Sequence, residues 1–189
     1  EEKLAARVRR LRVDGMEPVY VQHEVGMNGR LDEFQALVLR AKLPFLESWH
    51  EGRRKHAQWY FERLTALTPE ELVLPREVVP DGRHIYNQFT VRVKQGKRDA
   101  LQAHLKQLGI GCAVYYPIAL HEQPCFAYLG YRKGQLPETE CASQEVLSLP
   151  VYPEMTEAML EQVATGLLTF FGKQGHPRAP RERGPRGPL

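Results

Sequence analysis

The chain has 189 residues, 42% hydrophobic and 26% charged, with a formal net charge of +3. That length suits one domain with a sizeable core, or a domain plus part of another; the longest apolar runs fall far short of a membrane span, and no secretory signal opens the chain. Residues 173–189 carry a net +4 and the preceding 172 a net −1, so nothing in the body of the chain suggests a nucleic-acid surface.

In chain order, Leu4, Val8 and Leu11 recur at helical spacing and predict a short amphipathic helix ending before Gly15. A loop or irregular strand through Tyr20 and Val21 leads to the turn Gly26-Met27-Asn28-Gly29-Arg30. Asp32 can cap the next helix, whose apolar positions Phe34, Leu37, Val38 and Ala41 share a face. Pro44 kinks or restarts that helix, and a second stretch runs from Phe45 to Leu67.

From residue 71 the period changes. His84 to Val93 alternates and is rich in β-branched and aromatic residues, so it reads as a strand. Arg98 to Leu108 reads as a helix closed by Gly109, and Ile110 to Tyr116 as a second strand stopped by Pro117. A helix from about Glu138 to Val146, an extended piece at Leu147-Ser148-Leu149 and a last helix from Thr156 to Phe171 complete a βαβ-like set. This is a small α+β domain with one sheet covered on one side by helices. The expected division is residues 1–70, 71–172 and a disordered basic tail, 173–189, rich in Pro, Gly and Arg.

The Gly-x-Asn-x-Arg turn carries the most chemistry. A glycine-flanked turn can hold the Asn28 amide beside the Arg30 guanidinium, a neutral donor next to a charged planar fork, and both suit phosphate or carboxylate oxygens. The local string equally permits an Asx turn beside a solvated arginine. Cys112, Cys125 and Cys141 form no Cys-x-x-Cys pair, and their odd number argues against a disulfide framework, so a cytoplasmic location is expected. His50, His56 and His104 read as solvated helix-face residues, and Ser148 lacks the turn of an activated nucleophile.

The run Gly26 to Leu43 resembles the DegT/DnrJ/StrS family of sugar aminotransferases, which are pyridoxal-phosphate (PLP) enzymes. Further blocks match in order: Arg53-Arg54 with Ala57 and Tyr60; His84 to Phe89; Arg98-Asp99; and Leu108 to Gly111. Tyr115-Tyr116-Pro117 with Leu120-His121, and Leu147 to Pro150 with Tyr152-Pro153, complete the set. The resemblance runs over roughly residues 3–171 and is far more specific than any single block.

It implies an α/β fold, a fragment of a fold type I PLP transferase in which long bridging helices precede a small C-terminal α+β domain. The family's Schiff-base lysine lies N-terminal to the part present here, and Lys42, Lys94, Lys97 and Lys106 do not sit in its motif. The chain, beginning at Glu1, is thus expected to be the C-terminal half of an enzyme and inactive alone.

By the same resemblance, Asn28 reaches across a two-fold homodimer to the cofactor phosphate. Arg30 lies at the same pocket and meets the anionic part of a nucleotide sugar. Tyr115, Tyr116 and His121 line the sugar side. Tyr115 stands where many relatives have His, and Ala119 where many have Pro, which bears on sugar selectivity. The implied substrates are a nucleotide sugar and an amino donor such as glutamate, with no nucleic-acid or membrane partner. A sugar dehydratase of the same superfamily and a non-catalytic binding or regulatory module are the alternatives. Phe34, Leu37, Val38, Phe45 and Trp49 are expected on apolar faces left exposed in the fragment.

Overall fold

The computed structural model describes residues 1–18, 20–78 and 82–173, which form two compact units: Glu1–Leu46, and Glu47 onward. The basic tail expected at 173–189 lies outside the described residues apart from Lys173. Among the described residues, no helix is long and apolar enough to cross a membrane.

The first unit contains α1 (Glu2–Leu11), α2 (Glu33–Lys42) and a 3-10 turn, Leu43–Phe45, at Pro44. Asp32 caps α2 as its sequence suggests: the side chain accepts from the Phe34 N–H at 2.9 Å, satisfying one of the donors that every helix start leaves free. Between the helices the chain doubles back through isolated antiparallel bridges, Val13 with Asn28 and Met16 with Gln22. No large apolar side chain described in this unit is buried. Phe34, Leu37, Val38 and Phe45 are exposed, as expected, whereas Trp49 of the second unit is partly buried.

The second unit holds α3 (Leu46–Arg63, which starts at the boundary), β1 (Leu72–Val73), β2 (Phe89–Val93) and α4 (Arg98–Gln107). After a long loop come α5 (Pro137–Glu145), β3 (Val146–Leu149) and α6 (Glu157–Phe170). The three strands form one sheet in the order β1-β2-β3, antiparallel throughout, with Phe89 opposite Leu149 and Val91 opposite Leu147. The βαβ-like expectation is therefore corrected in strand direction.

Period-two alternation buries Phe89, Val91 and Val93 completely. They share one core with Ala57, Tyr60 and Leu64 of α3, Leu101 and Leu105 of α4, and the apolar stripe of α6. Thr156 caps α6 by accepting from the Met159 N–H, and Gly109 and Gly172 take the left-handed backbone that ends α4 and α6.

Two expected strands are shorter than their patterns. His84–Gln88 does not pair: Arg54 binds the His84 carbonyl at 2.6 Å, Arg53 binds that of Ile85 at 3.3 Å, and Tyr86 has φ 46°, outside strand geometry. The stretch 110–116 contributes a single bridge, in which Ala113 and Ser148 exchange both backbone bonds at 3.1 and 2.7 Å. The next donor on that edge of β3, two residues on, would be Pro150, which has no N–H.

The three histidines read as solvated are also corrected. His56 is buried with Nδ1 2.9 Å from the Tyr152 carbonyl, His50 pairs with Glu47 at 3.3 Å, and His104 packs its ring on Phe170 with Nε2 out of solvent. His56 and His104 face neighbours distant in sequence, which a helix-face reading does not see, while His50 meets Glu47 one turn back on its own helix.

Tyr60 ties α3 to the end of β3 by donating from its hydroxyl to the Pro150 carbonyl at 3.0 Å. Burial pushes its phenol far above the ordinary tyrosine value, so it remains a donor at every working pH. Tyr60→Phe is expected to cost about 1–2 kcal/mol, because the partly buried Pro150 carbonyl loses this donor while the ring packing survives. Urea unfolding of the two proteins measures it.

Candidate functional site

The Asn28–Arg30 turn is built on the end of α1. Gly29 N–H donates to the Arg12 carbonyl and Met27 N–H to that of Leu11, both at 2.9 Å, while Asp14 N–H donates to Met27 at 3.1 Å. This close approach requires glycine at two places. A Cβ on Gly26 would lie 2.3 Å from the Gly15 nitrogen and 2.5 Å from the Leu11 carbonyl oxygen, and one on Gly15, whose φ is +76°, 1.7 Å from the Glu24 oxygen.

Charge reinforces the clamp. Arg10 and Arg7 both bind Glu24, at 2.7 and 2.9 Å. Hydrogen bonds from Arg10, then Arg7, hold its carboxyl below the ordinary range.

On this base the two side chains predicted from sequence stand together: Arg30 Nε donates to Asn28 Oδ1 at 3.1 Å, and both residues are exposed. The bond uses the amide oxygen. It leaves the Asn28 NH2 and the outer guanidinium nitrogens as donors, a set that suits a phosphate. The residues present thus fit the phosphate end of PLP.

The other predicted residues belong to the second unit. Tyr115 and Tyr116 are exposed and meet edge to face with ring centres 6.0 Å apart. Tyr115 borders a shallow groove with Asn87, Gln88, Cys112, Ser148 and Pro150. Tyr86 is in the core, whereas its neighbour Asn87 borders the groove. The break in strand pairing at Tyr86 is what turns Asn87 outward, and alternation alone does not reveal it.

His121, expected on the sugar side, turns its ring toward Glu140. Its side chain is only 5% exposed and its Nε2 lies 3.1 Å from Glu140 Oε1. Glu140, itself buried, also accepts from the Gly134 N–H at 2.7 and 2.9 Å and from the Leu136 N–H at 3.3 Å. Burial by itself would raise that carboxyl, but the Gly134 amide, His121 and the Leu136 amide outweigh it and hold Glu140 below the ordinary range. Sequence reasoning passed over Glu140, because its partners lie off its own helix and no local spacing marks them.

Comparison with known proteins bears on the turn and the fold together. The model of the DegT/DnrJ/EryC1/StrS aminotransferase family matches residues 1–168. A "pleiotropic regulatory protein" of Geobacillus stearothermophilus is 47% identical over 172 residues, 90% of this chain and 45% of that protein. The UDP-N-acetyl-3-dehydro-alpha-D-glucosamine 3-aminotransferase of Acidithiobacillus ferrooxidans is 39% identical over 166 residues, 87% of this chain and 42% of that enzyme. Among solved structures, S. venezuelae DesV in complex with a ketimine intermediate superposes with a TM-score of 0.83 at 34% identity, covering 92% of this chain and 46% of DesV.

The chain spans about half the length of the curated relatives it matches. A family match through both units, and a fold shared with a solved aminotransferase, agree with the residue blocks that begin at Gly26. This chain belongs to the DegT/DnrJ/EryC1/StrS aminotransferase family.

Proposed function

We propose that the chain is the C-terminal part of a PLP-dependent aminotransferase that places an amino group on a keto-sugar nucleotide. The observation that carries this reading is the Asn28–Arg30 pair, held at 3.1 Å on a clamped turn with its donors directed away from the bond. Family membership gives that pair its meaning. In the complete enzyme, residues 1–70 are the end of the large domain and the bridging helices, and residues 71–172 the small domain.

Bound PLP supplies reversible carbon–nitrogen chemistry through a lysine carried elsewhere in the enzyme. This chain's residues bind and orient. Asn28 donates its NH2 to the cofactor phosphate of a neighbouring subunit, so the site is complete only in a homodimer. Arg30 fixes the Asn28 amide through its oxygen and offers its remaining nitrogens to the anionic part of the nucleotide sugar. Tyr115 and Tyr116 present hydroxyls and ring faces to the sugar, as their exposure permits. The name of the Acidithiobacillus relative supports a UDP-linked 3-keto sugar as substrate class. Glutamate is the amino donor of this reading, and the cytoplasm its location.

A second reading, a regulatory module without catalysis, is favoured by the name of the Geobacillus relative. One experiment separates the two: borohydride trapping of PLP in the complete enzyme, peptide mapping, and amine transfer from glutamate to a UDP-linked 3-keto sugar. A trapped lysine with amine transfer supports the aminotransferase. Cofactor bound without a trappable lysine points to the dehydratase, and no cofactor at all to the regulatory module. Asn28→Ala is expected to weaken PLP binding about 10- to 100-fold, the loss of a hydrogen bond to a charged phosphate. Cofactor fluorescence titration reads that change.

A further inference from the structure

The geometry points to Glu140 and His121 as a clasp that positions the 119–136 loop, and through it the Tyr115-Tyr116-Pro117 block. Glu140 lies in the first turn and a half of α5 and is 8% exposed. One of its oxygens meets His121 Nε2 at the start of the loop. The same carboxylate takes the Gly134 and Leu136 amides at the loop's end. A single carboxylate therefore ties both ends of a long segment whose only regular structure is two 3-10 turns, Leu120–Glu122 and Pro124–Leu129.

Little else secures that segment: Phe126 in its middle is only partly buried. Leu120, Tyr128, Leu129, Tyr131 and Leu136 are all exposed, so they cannot anchor it in a core. Ala119 is buried at its start, and Tyr131 rests edge-on against the His121 ring with centres 6.0 Å apart. His121 Nδ1 is out of solvent and has no hydrogen-bond partner among the described residues, which leaves the bond to Glu140 as the polar contact that orients the ring. Closing a loop of this length by one ionised group fixes far more chain than the group itself occupies. The loop continues directly from Pro117, so together with the Ala113–Ser148 bridge on the other side it sets where Tyr115 and Tyr116 stand. Glu140 and His121 thus act on sugar binding without touching the sugar, an inference that rests on the proposed function for its substrate.

The test has two arms. In this chain, amide hydrogen exchange is followed in Glu140→Gln, His121→Phe and His121→Gln. Glutamine at 140 turns one oxygen into a donor facing other donors, and phenylalanine at 121 keeps the ring without the N–H, so both are expected to speed exchange at Gly134 and Leu136 about tenfold. His121→Gln places a donor near the original Nε2 and is expected to restore protection. The sheet amides of Val91 and Leu147 stay at their original rates in all three. Unchanged exchange at Gly134 and Leu136 overturns the clasp, and so does equal acceleration in the sheet, which would make the pair a support of the whole fold.

In the complete enzyme, Glu140→Gln and His121→Phe are expected to raise the KM for the sugar nucleotide about tenfold, with kcat and the glutamate half-reaction within about twofold. An active enzyme whose KM ignores both variants overturns the positioning role. An unmutated enzyme that transfers no amine overturns the proposed function instead, and the exchange arm then decides the clasp.

Discussion

Phe89→Ala is expected to destabilise the second unit by about 3–5 kcal/mol, a large part of the stability of a domain this size. Phe89 is fully buried at the start of β2. Its ring centre lies 5.1 Å from that of Tyr60, 5.4 Å from Phe61 and 6.0 Å from Tyr86, so it joins the sheet to α3 and to the irregular 84–88 segment together. Truncation removes the transfer energy of an aromatic side chain and opens a cavity that three other rings cannot close without leaving their own contacts. Thermal unfolding should show a midpoint lower by roughly 10–20 °C. Phe89→Leu, which keeps most of the volume, should lose about 1–2 kcal/mol. An alanine variant that melts within about 2 °C of the unmutated chain would show that this aromatic cluster is not the centre of the core.

Gly26→Ala is expected to disrupt the Asn28–Arg30 turn, at about 3 kcal/mol or more, while Gly29→Ala is expected to leave it intact. At Gly26 the added methyl group would meet backbone atoms of Leu11, Asp14 and Gly15 at 2.5, 2.7 and 2.3 Å. None of these is the end of a flexible side chain, so the turn must move away from α1. At Gly29 the nearest atoms are 3.5–3.6 Å away, ordinary contact distances. NMR chemical shifts of the Asn28 and Arg30 amides distinguish the outcomes: large shifts for Gly26→Ala and small ones for Gly29→Ala. Equal shifts in the two variants would contradict the clamp. In the complete enzyme, Gly26→Ala should also lower cofactor affinity, because the donors would lose their common base.

The chemistry of the first site is legible in sequence because it is local. Asn28, Gly29 and Arg30 sit in one turn, Asp32 caps the helix that follows, and short-range spacing decides both features. The residues expected on the sugar side are less legible. Tyr115 and Tyr116 stand exposed, while His121 is turned inward by a carboxylate 19 residues away. Asn87 borders the groove where strand pairing has stopped and two arginines of α3 take the carbonyls of His84 and Ile85.

By itself the sequence determined the order and type of the long helices, the caps at Asp32 and Thr156, the alternating face of β2, the Asn28–Arg30 turn and the family. Periodicity, capping and turn preference act over a few residues, and ordered blocks survive as text. The tertiary structure alone decided that the sheet is antiparallel, where the two expected strands stop, which histidines are buried, and that Glu140 holds both ends of the 119–136 loop. Each of those outcomes depends on which distant group meets a donor, an acceptor or a ring, and that competition is settled only when the chain packs.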